Sequence, residues 1–404
     1  MNNKLSKFKC ITIFLVGISA TSIPVIASAE WSIVSLGTLG GYASDAYAIN
    51  NSGQITGNFW PEYIDSSNAF ITGTNGEGFT TLGTLTGLGA AFATAINDSC
   101  QVVGDSSSLD NRDHAFITGH DGIGMTDLGT LGGLDSSAHG INNSGQVIGD
   151  SWITNHTTTH AFITGPNGIG MTDLGTMGGT WSSARSINDS GQVAGVSVIT
   201  DNTAYHAFIT NPNGVGMTDL GTLGGINSEA LGINNSGQVV GMSETINGDP
   251  HAFITGPDGI GMIDLGAMGA DISYALDINN LGQAVGIARF DCSYCRENSF
   301  IYSDGVMVNL SKLDEVINSE WTHLIARDIN DNGQIVGYGV LHGIEQAFLL
   351  SGADDKDFFR TYVETPMVHD TLPLPTPEPE SYAMLLAGLG MIGFMTRQKA
   401  KIPG

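Results

Sequence analysis

The chain has 404 residues, enough for two ordinary domains or for one large all-β domain. It contains 40 Asp and Glu residues against 14 Lys and Arg residues, which gives a formal net charge of -26. Because nucleic-acid binding needs clustered basic side chains, this charge excludes a nucleic-acid-binding protein. The 56 glycines are about twice the usual share, and a hydrophobic content of 41% indicates that they belong to a folded chain.

The first 29 residues have the organisation of a secretory signal peptide. Three lysines precede an apolar stretch that begins at Ile11, and the small residues Ala27 and Ala29 come just before Glu30. This order predicts export and cleavage after Ala29. A retained membrane helix is the alternative, and Pro24 makes it less favourable.

Between residues 31 and 350 one unit is repeated seven times. Its markers are a Leu-Gly-Thr-Leu-Gly-Gly-like segment, Ile-Asn-x-x-Gly-Gln, and Ala-Phe or Ser-Phe, always in the same order. The first leucines of the seven units follow one another in steps of 45 or 46 residues, at Leu36, Leu82, Leu128, Leu174, Leu220, Leu265 and Leu310. This period is typical of propeller blades and of some solenoids.

Each unit is predicted to form four short strands. In the fourth copy they are Ser183 to Asn188, Gln192 to Val198, His206 to Thr210 and Met217 to Leu220. The turn between the first two strands reads Asn-x-x-Gly, except in the second unit, where Cys100 replaces the glycine. An Asn-Gly or Asp-Gly pair separates the last two strands in most units. Both patterns are typical of β-hairpins.

The repeats predict an all-β fold, a seven-bladed β-propeller of four-stranded antiparallel blades. Trp31 to Gly37 is a fourth strand with no blade before it, whereas the seventh unit ends at Ser351 without its fourth strand. Pairing these two segments would close the ring and remove its exposed strand edges. An open β-solenoid is the alternative, although the array lacks the polar caps that a solenoid needs.

The repeats resemble the HAF family of extracellular repeats, named for the sequence His-Ala-Phe. The resemblance covers the repeat region and implies export without implying a reaction. In three units the histidine is replaced, by Asn68, Asn298 and Gln346. Because equivalent positions in different blades lie far apart, we expect each imidazole to hydrogen-bond within its own blade rather than to bind metal. The histidines of the motif are His114, His160, His206 and His251.

Two motifs resemble disulfide or metal sites. Cys292 and Cys295 form a single CxxC pair, which in an exported protein favours a local disulfide over redox catalysis or zinc binding. Asp328 to Gly333 resembles the start of a calcium loop, but Gly339 stands where the bidentate glutamate is expected. A turn is therefore favoured there. We predict no cofactor and no metal ligands, and leave a low-affinity calcium site open.

The variation between the units falls on one face of the predicted ring. In a four-stranded meander, the loops between the second and third strands share a face with the connections between blades, and these segments vary most. Exposed aromatic rings among Asp and Asn suit the apolar faces and hydroxyls of sugars, whereas filling space beneath a loop is the alternative role. The candidate ligand-binding residues are Trp60, Tyr63, Trp152, Trp181, Tyr205, Tyr294 and Trp321.

The C-terminal region resembles a sorting signal. After a predicted linker over 353–376, Pro377, Glu378 and Pro379 precede an apolar run from Tyr382 to Met395 and a basic tail. The run has 14 residues, which is short for a bilayer span. The three parts together resemble the PEP-CTERM signal of Gram-negative bacteria, which implies recognition by an exosortase and membrane contact through this segment only. A plain C-terminal membrane anchor is the alternative.

Between the two end segments, residues 30–376 contain 38 acidic and 8 basic residues, a balance that repels anionic polymers unless cations bridge them. No Ser-His-Asp arrangement and no phosphate-binding glycine loop is recognised, so no catalytic residue is predicted. The sequence thus indicates an exported, surface-sorted, non-catalytic binding or structural module of the extracellular matrix, with polysaccharide as the candidate partner. The alternative is a surface glycan hydrolase or lyase whose two carboxylates come from different blades.

Overall fold

The computed structural model describes residues 31–62, 66–109, 112–154, 158–290 and 297–352. The chain divides into two units, Met1–Arg360 and Thr361–Gly404, and every described residue belongs to the first. These residues form seven four-stranded antiparallel sheets, which confirms the seven-bladed β-propeller. The predicted signal peptide, linker and sorting segment lie outside the described residues.

The strands follow the chain blade by blade. The first strand is β1 (Ser32–Gly37). Blade 1 consists of β2 (Ala43–Ile49), β3 (Ile55–Trp60), β4 (Asn68–Thr72) and β5 (Phe79–Thr81). Blade 2 consists of β6 (Ala91–Ile96), β7 (Val102–Ser107), β8 (Asp113–Thr118) and β9 (Met125–Asp127). Blade 3 consists of β10 (Gly132–Ile141), β11 (Val147–Ile153), β12 (Thr159–Thr164) and β13 (Met171–Gly175).

The later blades repeat this order. Blade 4 consists of β14 (Gly178–Ile187), β15 (Val193–Ile199), β16 (Tyr205–Asn211) and β17 (Val215–Asp219). Blade 5 consists of β18 (Gly224–Ile233), β19 (Val239–Thr245), β20 (Pro250–Thr255) and β21 (Met262–Gly266). Blade 6 consists of β22 (Ile272–Ile278), β23 (Ala284–Arg289), β24 (Asn298–Ser303) and β25 (Val306–Asn309). Blade 7 consists of β26 (Trp321–Ile329), β27 (Ile335–Leu341), β28 (Ile344–Ser351) and the N-terminal strand β1.

The helical segments are short and lie in the connections. The one-turn α-helix α1 (Asp314–Ile317) lies between blades 6 and 7. The 3-10 turns are Thr74–Gly76, His120–Gly122, Pro166–Gly168, Thr200–Asn202, Pro212–Gly214, Pro257–Gly259 and Leu310–Lys312. None of the helices in the described parts of the chain has the length and apolar character needed to cross a membrane.

The N-terminal strand closes the ring as the sequence predicts. β1 pairs antiparallel with β28, from Ser32 opposite Ser351 to Gly37 opposite Ala347. Trp31, just before β1, is only 4% exposed and lies against Gly352. The last blade is therefore assembled from both ends of the repeat region, and the edge of β28 is covered.

The seven phenylalanines of the Ala-Phe and Ser-Phe markers form the centres of the cores between blades. All seven are completely buried. Phe208, for example, packs with Ile148 and Ile163 of blade 3 and with Ala184 and Val193 of blade 4. Burying one such ring stabilises the fold by about 1.5–3 kcal/mol, so this marker records packing between neighbouring blades.

The first strands begin earlier than predicted. β14 starts at Gly178 rather than Ser183, because Gly178 is already paired with Ile199. The next pairs are Ser182 with Ser197 and Ala184 with Gly195, and the register shifts before and after them. At the second shift a Cβ on Gly195 would collide with the carbonyl of Ser183, so the bulge requires glycine.

Candidate functional site

The seven first strands surround a central channel of about 310 Å³. The residue two positions before the marker isoleucine lines it in every blade, and five residue types occur at this position. These residues are Tyr47, Thr94, His139, Arg185, Leu231, Leu276 and Arg327. The positions that face the cores between blades carry nearly the same residue in every unit, because packing restricts them. The channel-lining position is not restricted in this way, and there the residue types vary among the seven units.

A ring of asparagines joins the blades at one end of the channel. The asparagine after each marker isoleucine donates from Nδ2 to the backbone carbonyl of its counterpart in the next blade, over 2.9–3.2 Å. The series runs from Asn50 to Asn330 and returns to Asn50. Each Oδ1 also accepts two backbone N–H groups of its own turn, as Asn188 does from Ser190 and Gln192. The marker asparagine therefore holds both the turn and the ring.

The next residue in each turn forms a second ring outside the first. Its backbone N–H donates to the side-chain Oδ1 of its counterpart in the next blade, over 2.8–3.0 Å. The members are Asn51, Asp98, Asn143, Asp189, Asn235, Asn280 and Asp331. We call this end of the propeller the tight-turn face.

The predicted calcium loop is such a turn. Asn330 and Asp331 belong to the two rings, and Asn332 donates to the carbonyl of Asn51 over 2.8 Å. Asp328 accepts the N–H of Ile49 over 2.8 Å. These bonds support the interpretation as a turn, and the low-affinity calcium site stays a prediction. In the parts of the chain that the structure describes, no group of three His, Cys, Asp or Glu side chains is arranged to hold a metal ion.

Two neighbouring carboxyl groups, those of Asp277 and Asp328, line the channel in blades 6 and 7. Burial raises the pKa of Asp328 well above its usual range, and the negative charge of Asp277 raises it further. The Ile329 N–H donates to both carboxyl groups, over 3.2 Å to Asp277 and 2.8 Å to Asp328. Asp328 therefore holds its proton more tightly than an exposed aspartate does.

Ion pairs join blades across the channel wall. The Arg327 guanidinium of blade 7 binds the Asp45 carboxylate of blade 1 over 2.8 and 3.0 Å, and it lies 4.4 Å from the ring centroid of Tyr47. Arg185 of blade 4 donates from Nε to Glu229 of blade 5 over 2.8 Å. Both arginines that line the channel are therefore paired with carboxylates of a neighbouring blade.

The end of the blades opposite the tight turns carries the most varied segments, and we call it the variable-loop face. Trp181 lies near the start of β14 and Tyr205 begins β16, so both are at this face. Their half-buried rings form a pair with centroids 6.4 Å apart and planes inclined by 39°. Thr158 of the preceding blade reaches the same place, donating to the Thr180 carbonyl over 2.5 Å.

Polar groups surround this aromatic pair. Asn227 of blade 5 accepts the Tyr205 N–H over 3.2 Å and donates from Nδ2 to Glu244 over 2.9 Å. This hydrogen bond from Asn227 lowers the pKa of Glu244, which keeps the carboxylate ionised. Burial raises the pKa of Tyr205, and the charges of Glu229 and Glu244 raise it further. An aromatic surface, an amide and a carboxylate thus lie together at the mouth of blades 4 and 5.

The other predicted aromatic residues have different surroundings. Trp60 ends β3 and Trp152 lies in β11, both half-buried at the variable-loop face. Trp321 is only 7% exposed and packs edge-on against Phe348, with centroids 6.0 Å apart, so it fills space in the core of blade 7. Tyr63 and Tyr294 lie outside the described residues. So do Cys292 and Cys295, Ala27 and Ala29, and the Pro377, Glu378 and Pro379 segment.

The four His-Ala-Phe histidines hydrogen-bond within their own blades, as predicted. Nδ1 of His206 lies 2.8 Å from the Asp219 carboxylate, and Asp219 also accepts the Gly221 N–H over 2.7 Å. The pairs His114 with Asp127, His160 with Asp173 and His251 with Asp264 have the same geometry. Each pair fastens the third strand of its blade to the end of the fourth.

Sequence reasoning missed the aspartate partner, although the sequence contains a signal for it. The aspartate precedes the first marker leucine and is absent in the three units that lack the histidine. In blade 7, for example, Gln346 and Ser35 occupy the two positions and form a 2.6 Å hydrogen bond instead. Residues that are replaced together within one chain indicate contact.

Residues 375–400 match the family model described as the PEP-CTERM protein-sorting motif. This match supports export and C-terminal sorting to the cell surface and implies recognition by exosortase-type machinery. It does not cover the repeats, so their resemblance to the HAF family stays a prediction. No sequence among the curated proteins matches the chain.

The solved structures that resemble the chain support the fold alone. The β-propeller domain of the Trilobed protease from Pyrococcus furiosus has a TM-score of 0.53 at 9% identity, covering 77% of this chain and 96% of its own. A chain from a structural analysis of two prolyl endopeptidases has a TM-score of 0.50 at 9% identity, covering 78% of this chain and 51% of its own. An oligogalacturonate lyase from Vibrio parahaemolyticus has a TM-score of 0.48 at 10% identity, over 80% and 97%.

Proposed function

We propose that this surface-sorted propeller is a non-catalytic carbohydrate-binding module of the extracellular matrix. The observation that carries the proposal is the aromatic pair of Trp181 and Tyr205 at the variable-loop face. The two half-buried rings of blade 4 are held in place by contacts with the neighbouring blades. They can therefore stack on the apolar face of a sugar without losing much side-chain entropy. Asn227 and Glu244 next to them supply acceptors for sugar hydroxyls.

The position of the pair on a rigid scaffold also supports binding. Asn202 accepts the Thr180 N–H over 2.9 Å, which ties the loop before Tyr205 to the strand that carries Trp181. Trp152, in the neighbouring blade, extends the set of aromatic residues at this face. Rigid elements that present varied loops are the usual location of binding sites.

The decisive experiment measures binding of the purified mature protein to a panel of surface glycans and follows the release of reducing ends in the same samples. Trp181→Ala is expected to weaken glycan binding at least tenfold, because one stacked ring contributes about 1–3 kcal/mol. Trp321→Phe is the matched control, since its ring is buried against Phe348 and its replacement should leave the affinity unchanged. Unchanged affinity of the Trp181 variant would place the binding site elsewhere.

A glycan hydrolase or lyase is the second candidate, and the Asp277 and Asp328 pair favours it. A carboxyl group that holds its proton more tightly than an exposed aspartate is a suitable general acid, and the two groups line the channel. Release of reducing ends or of unsaturated products, abolished by Asp328→Asn, would establish this function. Binding without turnover would support the module proposed above.

A further inference from the structure

The part of the chain that the structure describes is rich in negative charge and poor in positive charge. The described residues include 29 aspartates and glutamates against five lysines and arginines. Of those five, Arg185 and Arg327 are engaged with Glu229 and Asp45 in the channel wall, and Arg289 with Glu297. A glycan that carries carboxylates or sulfates would therefore meet mostly like charge on the described residues.

Glu244 is a carboxylate connected to the aromatic pair through Asn227. Its Oε1 accepts from Asn227 Nδ2 over 2.9 Å, and its Oε2 accepts the backbone N–H groups of Ile226 over 3.0 Å and of Asn227 over 3.3 Å. Asn227 in turn accepts the Tyr205 N–H, so one amide side chain fixes both the ring-bearing strand and the carboxylate. The half-buried Glu244 forms no ion pair within the described residues, and its Oε1, which accepts one of these three hydrogen bonds, can accept another from a ligand.

Two further acidic groups lie in the loops of blades 4 and 5 on the same face. Asp201 is exposed in the turn Thr200–Asn202 just before Tyr205, and Asp249 is exposed in the loop that follows Glu244. Glu229 raises the pKa of the Tyr205 phenol, which places it near the ring, but Arg185 neutralises it. The field at the pair therefore favours a cation that can contact the rings, and a protonated amine on a sugar is such a group.

We propose that the ligand of this site is a glycan with free amino groups, such as a polymer that contains de-N-acetylated hexosamine. The inference rests on the proposed carbohydrate-binding function and specifies its substrate class. The sugar ring stacks on Trp181 and Tyr205, and its ammonium group forms a charge-assisted hydrogen bond to Glu244. Acetylation of the amine removes this bond together with the charge.

The test compares three sets of oligosaccharides of equal length on the mature full chain by calorimetry at low salt. Oligomers of glucosamine are expected to bind about tenfold more tightly than oligomers of N-acetylglucosamine, because a hydrogen bond to a charged group contributes more than a neutral one. Oligomers of galacturonate are expected to bind more weakly than both. The preference for the amine should decrease with added salt, which screens the charges.

Variants separate this inference from the proposed function. Glu244→Gln should abolish the preference for glucosamine and leave the affinity for N-acetylglucosamine within twofold. Glu77→Gln, which removes one charge at the exposed turn of blade 1 on the tight-turn face, should leave the preference unchanged. Equal binding of the two hexosamines to the unchanged protein would overturn the inference but not the proposed function. Absence of binding to every glycan would overturn the proposed function itself.

A cationic peptide serves as the last comparison. If oligolysine displaced glucosamine oligomers and bound Trp181→Ala as tightly as the unchanged protein, the site would recognise charge alone, and the inference would be wrong. If glucosamine binding required both Trp181 and Glu244 while oligolysine binding required neither, the amino glycan would be the ligand of the site.

Discussion

At Asp45, burial and a neighbouring guanidinium act on one carboxyl group in opposite directions. Burial raises the pKa of Asp45 to about 6, although Arg327 lowers it through its charge and its hydrogen bonds. The raised pKa is the folded-state value, and an unfolded aspartate titrates near its ordinary value of about 3.9. The folded state therefore holds the proton more tightly, and Asp45 causes the free energy of unfolding to fall as the pH rises from about 4 to 6.

We expect Asp45→Asn to remove this dependence, because an amide does not titrate. The difference of about two pKa units corresponds to roughly 3 kcal/mol between the two ends of the interval. Urea unfolding at pH 4 and at pH 6.5, compared with the unchanged protein, measures it. Glu62→Gln, at an exposed position, is the control and should reproduce the unchanged protein. If the free energy of unfolding changed with pH equally in Asp45→Asn and in the unchanged protein, the role given to the burial of Asp45 would be refuted.

Among the structural elements, the turns that begin with the marker asparagine hold neighbouring blades together through hydrogen bonds. Asn188 is 3% exposed, and its side chain bonds to Gln192 and Ser190 of its own turn and to the carbonyl of Asn234 in the next blade. Alanine at this position would leave several buried groups without a partner. Each of them costs about 1–3 kcal/mol.

We therefore expect Asn188→Ala to lower the free energy of unfolding by about 3 kcal/mol in total, since part of the loss is relieved by relaxation and water. A lower denaturant midpoint with an unchanged slope would show it. The exposed Asn247 provides the comparison, because its replacement by alanine should change the midpoint little. Equal midpoints for the two variants would contradict the structural role of the asparagine ring.

The sequence was sufficient to predict the elements that every blade repeats. Phe208 and Asn188 recur in each unit because packing and hydrogen bonding between blades are the same all around the ring. The partners of the channel side chains could not be predicted in this way. Arg327 and Asp45 are 282 residues apart and meet only because the ring closes, and the residue types at their positions vary among the units. Trp321 was a candidate from its position in a varied segment, but the segment gave no sign that the ring lies buried.

For the whole molecule, the pairing of β1 with β28 closes the ring of blades and covers the last exposed strand edge. Without β1, the edge of β28 would expose unpaired backbone groups, which are a template for association with another chain. Removal of residues 30–37 is expected to lower the melting temperature by about 10 °C, from the loss of several backbone hydrogen bonds, and to produce oligomers. Thermal unfolding and light scattering measure the two effects.

A synthetic peptide with the sequence of residues 30–38 provides the control for this truncation. Because β1 is separate from the rest of blade 7 in the chain, the peptide should occupy its place and restore the monomer. A truncated protein that stays monomeric and equally stable without the peptide would show that the seventh blade does not need its fourth strand.

Two residue types cannot alternate around a ring with an odd number of positions, so at least one pair of neighbours in the outer polar ring must be identical. Asp98, Asp189 and Asp331 are each flanked by two asparagines, so no two carboxylates are adjacent, and the unavoidable repeated pair consists of Asn235 and Asn280. The pair is neutral, whereas an aspartate at either position would stand next to another aspartate. In a ring of six or eight such units, aspartate and asparagine could alternate without a repeated pair. The residue types of these turns therefore reflect the odd number of blades.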